Sequence, residues 1–218
     1  MTKTRSTLLI VAAVVSGACG RVTPIAAAPE TYEYRIEHPK YGEIGRYTNV
    51  VCKTGEDTEV DSELHVIVKI LGIVVYREEA RRSERWREDK LVSFQSETIT
   101  NGNELEVRGE ARDGSFVIDA PSGRIRAPID VHPSNPWSKI VLNANVVMST
   151  KTGRISSVLV KGGDEQAITF DGHPMRLRQY EIVGEKRQFV WFDDRGSPVA
   201  FRTEQQGANV DFVLVSHR

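Results

Sequence analysis

From residue 30 onward the sequence alternates apolar and polar residues with a period of two, and no other feature limits its fold as much. In Thr31–His38, Tyr32, Tyr34 and Ile36 share one parity while Glu33, Arg35 and Glu37 share the other. In Glu59–Leu71 the even positions Val60, Leu64, Val66, Val68 and Ile70 are apolar, and the odd ones include Glu59, Asp61, Glu63, His65 and Lys69. In Glu104–Arg112, Leu105, Val107, Gly109 and Ala111 alternate with charged residues. Successive side chains of a strand point to opposite faces, so such runs make half-buried antiparallel strands with one apolar side.

Turn residues separate these runs. Asn101-Gly102, Asp113-Gly114, Ser122-Gly123, Thr152-Gly153, Gly162-Gly163, Asp171-Gly172 and Gly207 supply the backbone freedom that tight hairpins need. The C-terminal stretch reads as a meander: Leu177–Val183, Gln188–Phe192, Val199–Thr203 and Val210–Val215. The Glu/Ala/Arg content of Arg77–Lys90 also suits a helix, but the strand-like Val74-Val75-Tyr76 before it and Leu91–Phe94 after it favour a long hairpin that turns near Glu88-Asp89-Lys90. One helix is predicted over 136–143. Trp137, Ile140, Val141 and Ala144 fall at helical spacing, Asn135 can cap and Pro136 suits the first turn. The predicted fold class is mainly β: a single curved antiparallel sheet, or a partly open β-barrel, with one short helix. No Pro/Ser-rich linker divides the chain, so residues 29–218 form one domain.

Residues 1–28 differ from the rest. Lys3 and Arg5 precede the apolar run Leu8–Val15, small residues follow, and the first acidic residue of the chain is Glu30. A positive start, a short apolar centre and a small-residue exit make an export signal, and the run is shorter than the roughly 20 residues of a membrane-spanning helix. Two cleavage sites are open. Ser16-Gly17-Ala18-Cys19 is similar to a bacterial lipoprotein box, which would lipidate Cys19, and Ile25-Ala26-Ala27-Ala28 offers release as a soluble chain. The expected location is the periplasm, or an outer-membrane-anchored place in the envelope of a Gram-negative bacterium. Membrane contact is then expected only through lipidation at Cys19.

The stretches YEYRIEHPKYGEIG, ERWREDKLVSFQSETITNG, PSNPWS and RQYEIVGEKRQFVWFDDRGSPVAF resemble an exported bacterial family known as domain of unknown function 6134, over Tyr32 to Val215. More loosely, the chain is similar to exported proteins with an open antiparallel sheet curled around a short helix, the periplasmic lipoprotein carriers among them. The resemblance implies export and a curved sheet. It brings no catalytic residues with it.

No reaction is legible. Asp130, His132 and Ser134 lie two apart on an extended segment, about 6.6 Å per step, too spread for the converging hydrogen bonds of a triad. His38, His65, His132, His173 and His217 have no metal-ligand spacing, and no phosphate-binding glycine loop occurs, so no metal and no cofactor is expected. A net charge of −1 gives no bulk pull toward nucleic acid. Arg77, Arg81, Arg82, Arg85 and Arg87 cluster around Trp86, but Glu78, Glu79, Glu84 and Glu88 interleave with them. That pattern suits a salt-bridged outer face, or a patch for anionic lipid headgroups or acidic glycans. If one short helix leaves the inner face unfilled, the cleft would be apolar and suit an amphiphile. The expected ligand-binding residues are then Arg77, Arg81, Arg85, Trp86, Trp137 and Trp191. The sequence thus favours a non-enzymatic protein that binds or carries a hydrophobic or amphiphilic molecule, lipid included. A structural or interaction protein with a filled core is the alternative, and an enzyme of unrecognised type the third.

Overall fold

The computed structural model describes residues 27–170, 173–205 and 207–218. The export segment and Cys19 therefore lie outside the described residues, apart from the end of that segment, and so do Asp171 and Gly172. In chain order the strands are β1 (Glu30–His38), β2 (Gly42–Thr54), β3 (Asp57–Ile70), β4 (Ile73–Arg87), β5 (Lys90–Thr100), β6 (Asn103–Arg112), β7 (Ser115–Ala120) and β8 (Gly123–Pro128). Three short strands follow, β9 (His132–Pro133), β10 (Val146–Met148) and β11 (Ile155–Ser157), with a 3-10 turn at Lys139–Asn143 between the first two. The chain ends in β12 (Leu159–Phe170), β13 (His173–Val183), β14 (Arg187–Phe192), β15 (Pro198–Gln205) and β16 (Ala208–His217).

Thirteen of these strands form one curved antiparallel sheet in the order β12-β13-β14-β15-β16-β1-β2-β3-β4-β5-β6-β7-β8. Consecutive strands pair as hairpins, with a single long-range seam where β16 returns to β1. The edges β12 and β8 do not pair, so the sheet is not closed into a barrel. In the chain between β8 and β12, β9, β10 and β11 form a small second sheet. Residues of this 129–158 segment, among them Val131, Trp137, Val141 and Met148, join the same core cluster as the large sheet's inner face.

The alternation sets which side is buried. In β3, Val60, Ser62, Leu64, Val66 and Val68 are buried and every odd residue from Asp57 to Lys69 is exposed. The hairpin turns use left-handed backbone: Glu88 and Asp89 have φ 47° and 62°, and Asn101 and Asp113 each precede a glycine with positive φ.

Two local expectations change. The helix over 136–143 is a 3-10 turn that starts only at Lys139, with Ser138 as its cap: Ser138 Oγ accepts from the Ile140 N–H at 3.2 Å. Asn135 does not cap it, because its side chain turns into the core, and Trp137 lies ahead of the turn. Gly162-Gly163 is not a turn but a bulge inside β12, where the pairing with β13 slips between Gly162 and Asp164.

Candidate functional site

On β4 the buried parity runs Ala80, Arg82, Glu84, Trp86, so a guanidinium and a carboxylate point inward between two apolar residues. Register carries this polarity across the sheet: Asn49 of β2 lies opposite Ser62 of β3, Ser62 opposite Arg82, and Arg82 opposite Ser96 of β5. Asn49, Ser62 and Ser96 are all buried. The strands thus lay a polar belt on an otherwise apolar face.

The segment Pro133–Ser138 closes over that belt. Glu84 is 0% exposed. Its Oε1 accepts from Asn135 Nδ2 at 3.0 Å, and its Oε2 accepts from Trp86 Nε1 at 2.9 Å and Trp137 Nε1 at 3.1 Å. Asn135 Nδ2 also donates to Ser62 Oγ at 3.2 Å, Ser62 donates to Asn49 Oδ1 at 2.7 Å, and the Tyr47 hydroxyl donates to Asn135 Oδ1 at 2.7 Å. Arg82 stands over the Tyr47 ring, 6.0 Å from its centroid. The indoles of Trp86 and Trp137 meet edge-on at 5.8 Å, and His132 meets Trp86 at 5.3 Å.

Burial pushes the Glu84 carboxyl up to about 7, against the Asn135, Trp86 and Trp137 donors and the Arg82 charge that favour the anion. Burial also lowers His132, whose Nδ1 has no hydrogen-bond partner among the described residues. A carboxyl near neutrality often marks catalysis. This one is sealed: three donors occupy it, and neither Glu84 nor its indole partners open to solvent. Its hydrogen bonds with Asn135 and Trp137 fasten the inserted segment to the sheet.

The residues expected to bind a ligand are divided between environments. Trp86 and Trp137 come together at Glu84, whereas Arg77, Arg81 and Arg85 project from the opposite, outer face. There Arg77 pairs with Glu79 at 3.0 Å, Arg81 with Glu63 at 3.6 Å and Arg85 with Glu59 at 2.7 Å. Trp191 lies half-buried on β14, with Arg202 5.9 Å from its ring centroid. Asp130 and Ser134 are exposed while His132 is buried, so the three do not converge. Glu84, Asn135 and Arg82 were missed as site residues. Strand parity was the available signal, since a buried Trp86 obliges residues 82 and 84 to face inward too.

Two grooves open on the outer face. The larger, about 740 Å³, runs over β4–β8 and is lined by Arg85, Arg108, Arg112, Arg124 and Arg126 together with Glu110, Asp113 and Asp119. The smaller, about 580 Å³, includes Cys52, Thr58, Arg87 and Val92. Among the described residues no three His, Cys, Asp or Glu gather as metal ligands.

The open curved sheet, with the 129–158 segment packed on its inner face, is a β-barrel-like architecture. It belongs to the family described as domain of unknown function 6134 (DUF6134), whose model matches residues 34–215. A crystal structure of a β-barrel-like protein of domain of unknown function DUF1849 from Brucella abortus is similar in fold, with a TM-score of 0.64. That match covers 87% of this chain and 96% of the other at 12% identity. No curated protein matches the sequence.

Proposed function

We infer that the protein is an exported, non-enzymatic protein of the cell envelope that acts through its outer surfaces, with its interior serving as a scaffold. The observation that carries this is the occupied inner face: the 129–158 segment packs Val131, Trp137 and Met148 there, and the Asn135–Glu84 network ties it down. The two outer grooves mix apolar residues such as Val117 and Val92 with ion pairs such as Arg124–Asp119 and Arg87–Asp57. Carriage of an amphiphile inside the sheet would require that segment to leave, exposing the Glu84 carboxyl and its three donors together. Export is supported by Lys3, Arg5 and the apolar run Leu8–Val15 ahead of the first acid, Glu30.

Native mass spectrometry of protein purified without detergent tests the scaffold against the carrier. The expected spectrum shows the bare chain, with no change in Trp86 and Trp137 fluorescence on adding fatty acid or lysophospholipid. Co-purifying lipid together with a fluorescence shift would restore carriage and sink the scaffold.

A further inference from the structure

The hairpin of β3 and β4 runs past its neighbours. On one side the pairing of β2 with β3 ends at Gly45 opposite Val66. On the other, the β5–β6 turn meets β4 at Arg77, where Arg77 N–H donates to Asn101 Oδ1 at 2.8 Å and Asn101 N–H to the Arg77 carbonyl at 2.9 Å. Residues 67–76 therefore project as a two-stranded ribbon of three residue pairs, Val68–Tyr76, Lys69–Val74 and Ile70–Ile73, roughly 10 Å long at ~3.3 Å each. Its base is held, since Tyr76 donates to Glu78 Oε2 at 2.5 Å and Lys151 pairs with the same carboxylate.

The ribbon's surface is the reverse of what an exposed hairpin ordinarily presents. Leu71 is 98% exposed and Ile73 69%, and Ile67, Ile70, Val74 and Val75 are exposed as well. Both sides are apolar: Ile70 pairs with Ile73 on the inner parity, while Ile67 and Val74 lie on the outer. From Ile67 to Tyr76 there is no acid, and the sole charge is Lys69. Leu71 also sits at φ 50° ahead of Gly72 at 82°. A branched residue is costly there, and Asn or Asp is the usual choice. Among the described residues the other non-glycine positions with positive φ are Glu88, Asp89, Asn101 and Asp113, all polar.

We propose that this ribbon is a membrane-docking element that dips into the headgroup region of an anionic lipid bilayer. An apolar tip exposed all round fits a fluid medium that surrounds it, whereas a protein partner seated on one side would leave the other wet. The ribbon is also much narrower than the ~800 Å² per partner of a stable protein interface. Charge agrees with the choice: Lys69 lies on the ribbon, and Lys40 stands beside exposed Tyr41 on the β1–β2 turn at the same end of the sheet. Insertion is shallow, on the order of 5–10 Å, because among the described residues no strand pairs with the ribbon's outer edges, whose N–H and C=O groups must stay within reach of water and headgroups. This goes beyond the scaffold reading and does not depend on whether the interior retains lipid.

The test places a reporter on the tip of the full chain. Ile73→Trp, with Val74→Trp as a second position should the first not fold, is mixed with vesicles of phosphatidylglycerol and phosphatidylethanolamine. Its emission is read against the wild type with native Trp86, Trp137 and Trp191. A blue shift, quenching by brominated acyl chains and a weaker response to pure phosphatidylcholine are expected. Adding Leu71→Asn should lower the vesicle affinity by about tenfold, without lowering the thermal midpoint, because Asn suits the left-handed turn. An equal response to phosphatidylcholine would overturn the anionic assignment. Emission that stays at its solvent value on vesicles that carry the chain would overturn docking through the ribbon. A blue shift without vesicles that grows with protein concentration, alongside a doubled mass in light scattering, would assign the tip to a second copy instead.

Discussion

At the scale of single residues, Glu84 decides how the molecule responds to pH. Its carboxyl is raised from 4.5 to about 7 by burial, so between those values the folded chain binds more protons than the unfolded one. Stability from this group is therefore fully present below 4.5 and is lost as pH rises through 7, by about 3 kcal/mol in all. His132 works in the opposite sense, because its lowered folded pKa removes stability as pH falls below 6.5. Urea midpoints of wild type and Glu84→Gln at pH 5 and pH 8.5 separate the two, since His132 is common to both chains. The wild type should lose about 3 kcal/mol more than Glu84→Gln over that interval, and equal losses would show that Glu84 does not titrate there. This network was only partly legible in the sequence. Trp86 and Trp137 are both among the six residues expected to bind a ligand, but nothing in the sequence sets them side by side. Glu84 was counted among the charges that neutralise the arginines, because a Glu in an Arg-rich run looks solvated until the strand's parity is fixed by its tryptophan.

At the scale of elements, strands and hairpins were the most legible part, since period-2 alternation and turn residues are local signals. The 3-10 turn was less so. The spacing of Trp137, Ile140, Val141 and Ala144 fits a longer helix, but Asn135 is drawn to Glu84 and Tyr47, which leaves Ser138 to cap a later, shorter start. Gly162-Gly163 misled for a related reason: paired glycines suit a bulge as well as a turn. Gly45 shows why one strand carries a glycine at a position that is not a turn. A Cβ there would lie 2.0 Å from the His65 carbonyl oxygen, so the β2 and β3 backbones approach too closely for any side chain. Gly45→Ala should cost about 3 kcal/mol by forcing those strands apart, read as a shift in urea midpoint. A loss below about 1 kcal/mol would mean that the two strands separate without strain.

At the scale of the whole molecule, the order of the strands was not legible, because nothing local encodes that β16 returns to β1. That seam joins two wings, β2–β8 with the inserted segment and β12–β15, and it joins them through aromatic packing. Tyr34 meets Phe201 edge-on at 5.4 Å, Tyr47 meets Phe212 at 5.8 Å, and Phe212 stacks on Phe201 at 4.2 Å. Thr31 and Arg218 exchange backbone hydrogen bonds of 2.7 and 3.0 Å, so β1 is completed only by a segment from the far end of the domain. Such sequence-distant pairing carries a large loop-closure cost, and folding should be slow for a domain of this size. Truncation after Gly207 removes β16, unseats Phe201 and severs β12–β15 from β1. The truncated chain should lose its near-ultraviolet circular dichroism and its cooperative thermal transition, rather than shift to a lower midpoint. A sharp residual transition would instead show that β1–β8 with the 129–158 segment is a folding unit in its own right, to which the C-terminal wing is merely appended.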